Sequence, residues 1–138
     1  MKNSYISSQA EVASFLRDLK AVINHPSFDP NNDLDILRKK AGESSSDPYT
    51  TKNTILALDF DNYDVADELN QLTLREYVET FIDDKQPSSP PFYNFGQIIK
   101  GNEVYIKVKI RDRANRKVFC VSFHFAKYPL TGKYPYRR

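Results

Sequence analysis

The residues best equipped for chemistry lie in two neighbouring runs near the C-terminus. From Glu103 to Arg111 the chain alternates strictly, with Val104, Ile106, Val108 and Ile110 in one register and Tyr105, Lys107, Lys109 and Arg111 in the other. A period of two marks a strand half buried against a core. Its second register is then a row of cations beside a phenol. Lys117 to Lys127 reads as a partner strand, with Phe119, Val121, Phe123 and Phe125 on one face and Cys120, Ser122, His124 and Ala126 on the other. The polar segment Asp112–Arg116 between them suits a hairpin connection. With the two apolar faces coincident, Tyr105, Lys107, Lys109 and His124 are displayed together. That surface suits a phosphate, and it includes an imidazole that titrates near neutral pH.

Charge supports an anionic partner for this region. Residues 97–138 hold eleven Lys or Arg against Glu103 and Asp112, a net of +9, while residues 1–96 hold nine against sixteen acids, a net of −7. Such a split implies that the C-terminal third meets a polyanion, or that the two parts attract each other within the fold. Other chemistries find less support. Cys120 is the single cysteine, so there is no disulfide framework and no Cys/His ladder for zinc. The acids Asp59, Asp61, Asp64, Asp67 and Glu68 lack the glycine and terminal glutamate of a calcium loop, and they read better as helix-start residues. No metal or other cofactor is expected. The N-terminal residues lack an apolar signal-like region, and no run approaches the roughly 20 apolar residues of a membrane span. The expectation is a soluble cytoplasmic protein that does not engage membranes.

The elements that must position the two strands follow from the rest of the chain. Ser8 with Glu11 forms a capping box, and Val12, Phe15, Leu16, Leu19, Val22 and Ile23 continue at helical spacing towards His25, where Pro26 ends the helix. His25 reads as a C-terminal helix residue rather than a catalyst. Leu34–Lys40 fits a short strand or one helical turn. Thr51 is placed to cap a helix through Leu58, and a second short helix runs from about Tyr63 to Leu72. In the 74–83 stretch, Leu74, Tyr77, Val78, Phe81 and Ile82 fit helical spacing, while the β-branched and aromatic content fits a strand. Pro87, Pro90 and Pro91 impose an extended loop. Phe92–Ile99 reads as a strand, with Gly96 marking a bulge or a close approach, and Lys100–Asn102 turns into the next strand. The tail from Tyr128 is extended, aromatic and basic, and it packs on the sheet or meets a partner. A chain of 138 residues is most simply one domain, with residues 1–50 as a helix-and-loop extension and 51–138 as the core. The fold class is α+β, with N-terminal helices on one face of a C-terminal antiparallel sheet.

The order of these pieces resembles a known family. Leu58-Asp59-Phe60-Asp61, the short helix to Leu72, the Tyr77–Phe81 run, Phe95-Gly96, Val104-Tyr105-Ile106-Lys107 and Phe119-Cys120-Val121-Ser122-Phe123-His124 are similar to the MqsR-type toxins of the RelE-like group. The resemblance spans roughly residues 51–127. It implies a RelE-like fold, a strand over 74–83, and a toxin of a bacterial type II toxin–antitoxin system. Such a toxin is a metal-independent endoribonuclease that cleaves mRNA, free or on the ribosome, and is held inactive by a cognate antitoxin. Tyr105 falls on the family's strand tyrosine. His124 stands where the family has a lysine, and Glu79 stands near another family lysine. The family's glutamine falls at Asn94 or Gln97. Glu79, a basic residue and His124 together look closer to other RelE-like toxins. The implied roles are Glu79 as base, His124 as acid, and Tyr105 stacking on a base or bonding the phosphate. Lys107, Lys109, Arg111, Asn94 and Gln97 are then RNA contacts. The alternatives are a non-catalytic RNA- or DNA-binding module on the same face, and a protein-interaction domain.

Overall fold

A computed structural model describes residues 3–137; Met1, Lys2 and Arg138, the last counted in the basic segment above, lie outside the described residues. The element order is β1 (Ser4–Tyr5), α1 (Gln9–Ile23), α2 (Pro30–Asp33), β2 (Leu34–Ile36), α3 (Thr51–Leu58), α4 (Asn62–Asn70), a 3₁₀ turn (Leu74–Glu76), β3 (Tyr77–Phe81), β4 (Phe92–Ile99), β5 (Asn102–Asp112) and β6 (Lys117–Phe125). The class is α+β, as expected. The six strands form one sheet in the order β1-β3-β4-β5-β6-β2, antiparallel throughout except for the parallel pair β2–β6. No helix among the described residues is long and apolar enough to cross a membrane.

Local chemistry accounts for the helices. Ser8 caps α1 by accepting from the Glu11 amide at 3.1 Å. The helix stops at Ile23, two residues short of His25, with Asn24 as its cap. His25 therefore lies beyond the helix, where its Nδ1 accepts the Ser27 amide at 3.0 Å. The cap of α3 is Thr50 rather than Thr51, accepting from Asn53. Thr51 and Thr54 instead turn their hydroxyls to β6, receiving the Phe123 and Phe125 amides at 3.1 and 2.9 Å. In α4, Asp61 and Asp64 form a reciprocal capping box, which explains the acids there without a metal.

One buried cluster joins these elements. Val12, Phe15, Leu16, Leu19 and Val22 of α1, Ile55 and Leu58 of α3, and Val65 and Leu69 of α4 meet Tyr77, Phe95, Val104, Ile106, Val108, Val118, Cys120 and Phe123 of the strands. The alternation read for β5 is the one found. The first fifty residues supply both edges of the sheet and the largest helix.

Three sequence readings resolve or change. The 74–83 stretch is a 3₁₀ turn followed by strand β3, so the helical spacing of Leu74, Tyr77 and Val78 misleads. Tyr77 is fully buried; its hydroxyl accepts the Ser7 amide at 2.9 Å and shares a bond of 2.6 Å with Thr80. Gly96 is a close approach and not a bulge: β4 pairs with β5 in unbroken register through it. A methyl group there would lie 2.0 Å from the Tyr134 hydroxyl and 2.7 Å from Leu130 Cδ1. The tail thus packs back on the chain. Glu103 anchors it by accepting from Leu130 N at 2.8 Å and from Tyr134 Oη at 2.7 Å.

The third change concerns β6. Lys107 pairs with Ser122, but Val108 pairs with Cys120, so Val121 is an extra residue in a β-bulge. A one-residue insertion reverses which face the following side chains take. Val118, Cys120 and Phe123 are in the core, while Phe119 and Val121 line a groove with Lys107 and Arg111. The expected single apolar face of Phe119, Val121, Phe123 and Phe125 does not exist.

Candidate functional site

The second face of β3–β6 holds a polar row set by the strand register. Glu79 lies opposite Asn94, Asn94 opposite Lys107, and Lys107 opposite Ser122. One step along, Gly96 lies opposite Tyr105 and Tyr105 opposite His124. The rings of Tyr105 and His124 stack with centroids 5.2 Å apart. Glu79, His124 and the β5 pair Tyr105 and Lys107, drawn from three strands, are therefore neighbours on one surface.

Tyr105 is held from below. Asn94, fully buried, donates its side-chain amide to Tyr105 Oη at 2.5 Å. This bond occupies the phenol as an acceptor and leaves its own hydrogen to donate outward. The Asn94 carbonyl oxygen is buried without a hydrogen-bond partner among the described residues, a costly state for a polar atom. Burial pushes the Tyr105 hydroxyl up to about 12, and the charge of Glu79 adds to this while the Asn94 bond opposes it. Tyr105 is a neutral donor across the physiological range.

His124 has a fixed tautomer. Its Nδ1 lies 2.9 Å from the Phe125 carbonyl oxygen, which only accepts, so Nδ1 carries the hydrogen. Nε2 remains for a proton to arrive or leave. Burial lowers the pKa of His124; the bond to Phe125 O opposes this, and the charge of Lys40 reinforces it.

The cations divide by role. Lys107 makes no hydrogen bond or ion pair among the described residues; its ammonium sits over Phe81 at 4.1 Å and Phe92 at 5.4 Å. Burial lowers its pKa, the neighbouring charge of Lys40 adds to that, and Asp84, Asp83 and Glu79 oppose it. An incompletely compensated, part-buried ammonium is a good anion receptor. Lys109 is different. Its side chain is 6% exposed and bonds Asp83 Oδ2 at 2.7 Å, with Ser89 Oγ at 3.3 Å. Asp83 also accepts from the Lys85 and Gln86 amides, so Lys109 fastens the 83–91 loop to the sheet. Lys109, expected as a phosphate contact, is thus held in an internal ion pair. Arg111 lies over Phe119 at 4.0 Å and meets Asp35 at 3.0 Å on an exposed edge, where it stays open to solvent.

Of the two amide candidates, Asn94 belongs to the site. Gln97 lies across from Val104 and bonds Glu68 of α4, away from the row. Sequence reasoning missed Lys40 and Ser122. Lys40 Nζ donates to Ser122 Oγ at 2.8 Å, which brings a second cation to the row. The run 34–40 carried the signal, because a strand there pairs with β6 and leads Lys40 to Ser122. The parallel pairing of Leu34–Ile36 with Val118–Cys120 does this, extended by Leu37 N donating to Cys120 O. Among the described residues, no group of three or more His, Cys, Asp or Glu is placed to hold a metal ion.

Chemically, the surface offers a carboxylate and an imidazole flanking a phenol, with two ammonium groups beside them. That set can move protons at two ends of a phosphodiester and balance charge in between. Comparison with known proteins identifies no relative: no family model, no curated protein and no solved structure matches the chain.

Proposed function

We propose that the protein is an endoribonuclease that cleaves single-stranded RNA by attack of the ribose 2′-hydroxyl, acting as the toxin of a type II toxin–antitoxin pair. The observation that carries the reading is the grouping of Glu79, Tyr105, Lys107 and His124 on one strand face, with Glu79 and Lys107 free of any ion pair among the described residues. The RelE-like arrangement, with helices behind the sheet and RNA on the open face, is part of this proposal. So are the cytoplasmic setting and the cognate antitoxin.

The roles follow from the neighbours. Glu79 and His124 both adjoin Tyr105 but do so from different strands, β3 and β6. A phosphodiester over Tyr105 therefore has a base on one side and an acid on the other. Glu79 takes the 2′-hydroxyl proton, and the 2′-oxygen forms its bond to phosphorus. The bond to the 5′-oxygen breaks, and that oxygen leaves with the electron pair and takes the proton from His124 Nε2. Lys107, with Lys40 beside it, balances the charge on the phosphorane oxygens, and Tyr105 donates a hydrogen bond to one of them. The products are a 2′,3′-cyclic phosphate and a 5′-hydroxyl end. An arriving phosphate supplies the negative charge that His124 lacks, and so restores its protonated form in the complex.

The test is induced expression with and without an adjacent candidate antitoxin frame, followed by mapping of RNA ends, and cleavage in vitro with and without a chelator. The expected result is growth arrest, 5′-hydroxyl ends, chelator-insensitive cleavage, and loss of activity by about 10²–10⁴-fold in His124→Ala with the fold retained. Wild-type cleavage rates in His124→Ala, Tyr105→Ala and Glu79→Ala would refute the site. Salt-sensitive RNA binding without product would establish the non-catalytic alternative.

A further inference from the structure

Beside the polar row lies a groove of about 640 Å³, within the roughly 300–1,000 Å³ usual for ligand sites. Its floor is Phe119, Val121 and Phe92, and Lys107 and Arg111 stand on its walls. The floor exists because the bulge at Val121 turns Phe119 and Val121 to this face. Phe92 and Phe119 meet edge to face with centroids 5.8 Å apart, and the Arg111 guanidinium lies over Phe119 at 4.0 Å from the ring centroid.

We infer that this groove binds a single unpaired nucleobase of RNA, the one adjoining the phosphate held at Lys107. The inference rests on the ribonuclease reading for its orientation, and on the groove's own walls for its chemistry. Aromatic faces and a guanidinium plane are what an unstacked base meets in single-strand recognition; a duplex keeps those faces inside its stack. Charge orients the occupant. Among the described residues lining the groove, Lys109 and Arg111 are ion-paired while Lys107 and Lys85 are not; Lys85 is exposed, and Lys107 is the part-buried one, at the end shared with the polar row. Asp83 and Asp84, which also line the groove, are already bonded, one to Lys109 and the other to the Asn3 amide. A phosphate is therefore drawn to the Lys107 end, and the neutral base lies along the apolar floor. Lys107 thus serves both sites.

The chain has no tryptophan, so Phe119→Trp supplies a single reporter on the groove floor. The probe is a mixed-sequence 2′-O-methyl hexaribonucleotide, which binds but lacks the attacking hydroxyl. The same length of abasic sugar-phosphate is the control. The expected result is saturable quenching of the new fluorescence by the hexaribonucleotide and not by the abasic chain. Phe119→Ala, with a native melting transition, weakens hexaribonucleotide binding by anisotropy roughly ten-fold or more, as for loss of a base–aromatic stack. If wild type cleaves RNA and His124→Ala does not, yet the reporter is unquenched and Phe119→Ala binds as wild type, the groove assignment falls and the ribonuclease reading stands. Saturable, base-dependent quenching with no cleavage by wild type leaves the groove standing and refutes the ribonuclease. No binding of either chain at low salt overturns both.

Discussion

Lys107 and Lys109 are two residues apart on one strand face, yet the structure gives them different surroundings, and Lys→Met separates them. At Lys109, methionine removes the partner of Asp83, whose side chain is 15% exposed. Breaking a fully buried pair costs about 3–5 kcal/mol, and an exposed one about 0–1. Asp83 keeps two backbone donors and some solvent, so a loss of about 2 kcal/mol is expected. For a chain of this length that is a drop in Tm of roughly 7 °C. The pH dependence is fixed in sign. The Lys109 bond, first, and backbone donors hold Asp83 below the usual carboxylate range. Its stabilisation is complete above the unfolded pKa of about 3.9 and is lost as pH falls through the folded pKa. The gap between wild type and Lys109→Met therefore closes in acid. At Lys107, no hydrogen bond or ion pair is lost, and burial already disfavours the charge. Lys107→Met should change stability by no more than about 1 kcal/mol, with methionine retaining contact with the Phe81 ring. Its effect falls on RNA: one fewer phosphate contact makes the slope of log K against log salt shallower by about 0.7 for a single strand. Thermal melts at pH 7 and pH 3.5, with anisotropy titrations at several salt concentrations, read both quantities. A Lys109→Met variant that melts like wild type but loses salt slope would show that the ion pair is not its role, and the reasoning would be wrong.

Three further outcomes are expected. With His124 as acid, kcat/KM falls as pH rises through the free-enzyme pKa, which lies below the ordinary value of about 6.5, while the corresponding limb of kcat lies at higher pH because bound phosphate restores the proton; a kcat/KM that rises through this pKa would make His124 the base. Gly96→Ala drives a methyl group into Tyr134 and Leu130 and should cost about 2–3 kcal/mol by lifting the tail, with Tyr134→Ala in the same chain recovering part of the loss in a double-mutant cycle in urea. Cys120 is fully buried, and burial pushes its thiol up to about 12, so a thiol reagent should modify it only at the rate of unfolding.

How much of this was legible varies with the range of the interaction that decides it. The β5 alternation is a local signal with one solution, and Val104, Ile106 and Val108 are buried as their spacing requires. Ser8 with Glu11 is equally local, and the cap forms. The 74–83 stretch was ambiguous because its apolar residues satisfy two periods; pairing of Tyr77–Phe81 with β4 decides for strand. Which lysine is free was not readable at all. Lys107 and Lys109 share type, strand and face, and only the distant placing of Asp83 separates them. The same holds for Asn94 against Gln97, where odd or even position along β4 selects the first. Lys40 depends on the parallel β2–β6 pairing, the least local contact in the sheet.

The bulge at Val121 shows why the surface and its misreading have one origin. On a regular β6, Phe119 and His124 take opposite faces, because they are five residues apart and five is odd. A regular strand with His124 beside Tyr105 would turn Phe119 and Val121 into the core and leave a polar surface with no apolar floor. The alternative regular strand would keep Phe119 and Val121 on the open face and bury the imidazole. The extra residue removes the choice: Val118 and Cys120 fill the core on one side of it, Phe123 fills it on the other, and Phe119 and His124 emerge together. Ser122 stands opposite Lys107 in the regular register next to the bulge, where its hydroxyl receives Lys40. A strict period-two reading fails at the position where the strand departs from period two, and that departure brings an apolar groove and the His124 imidazole onto one surface.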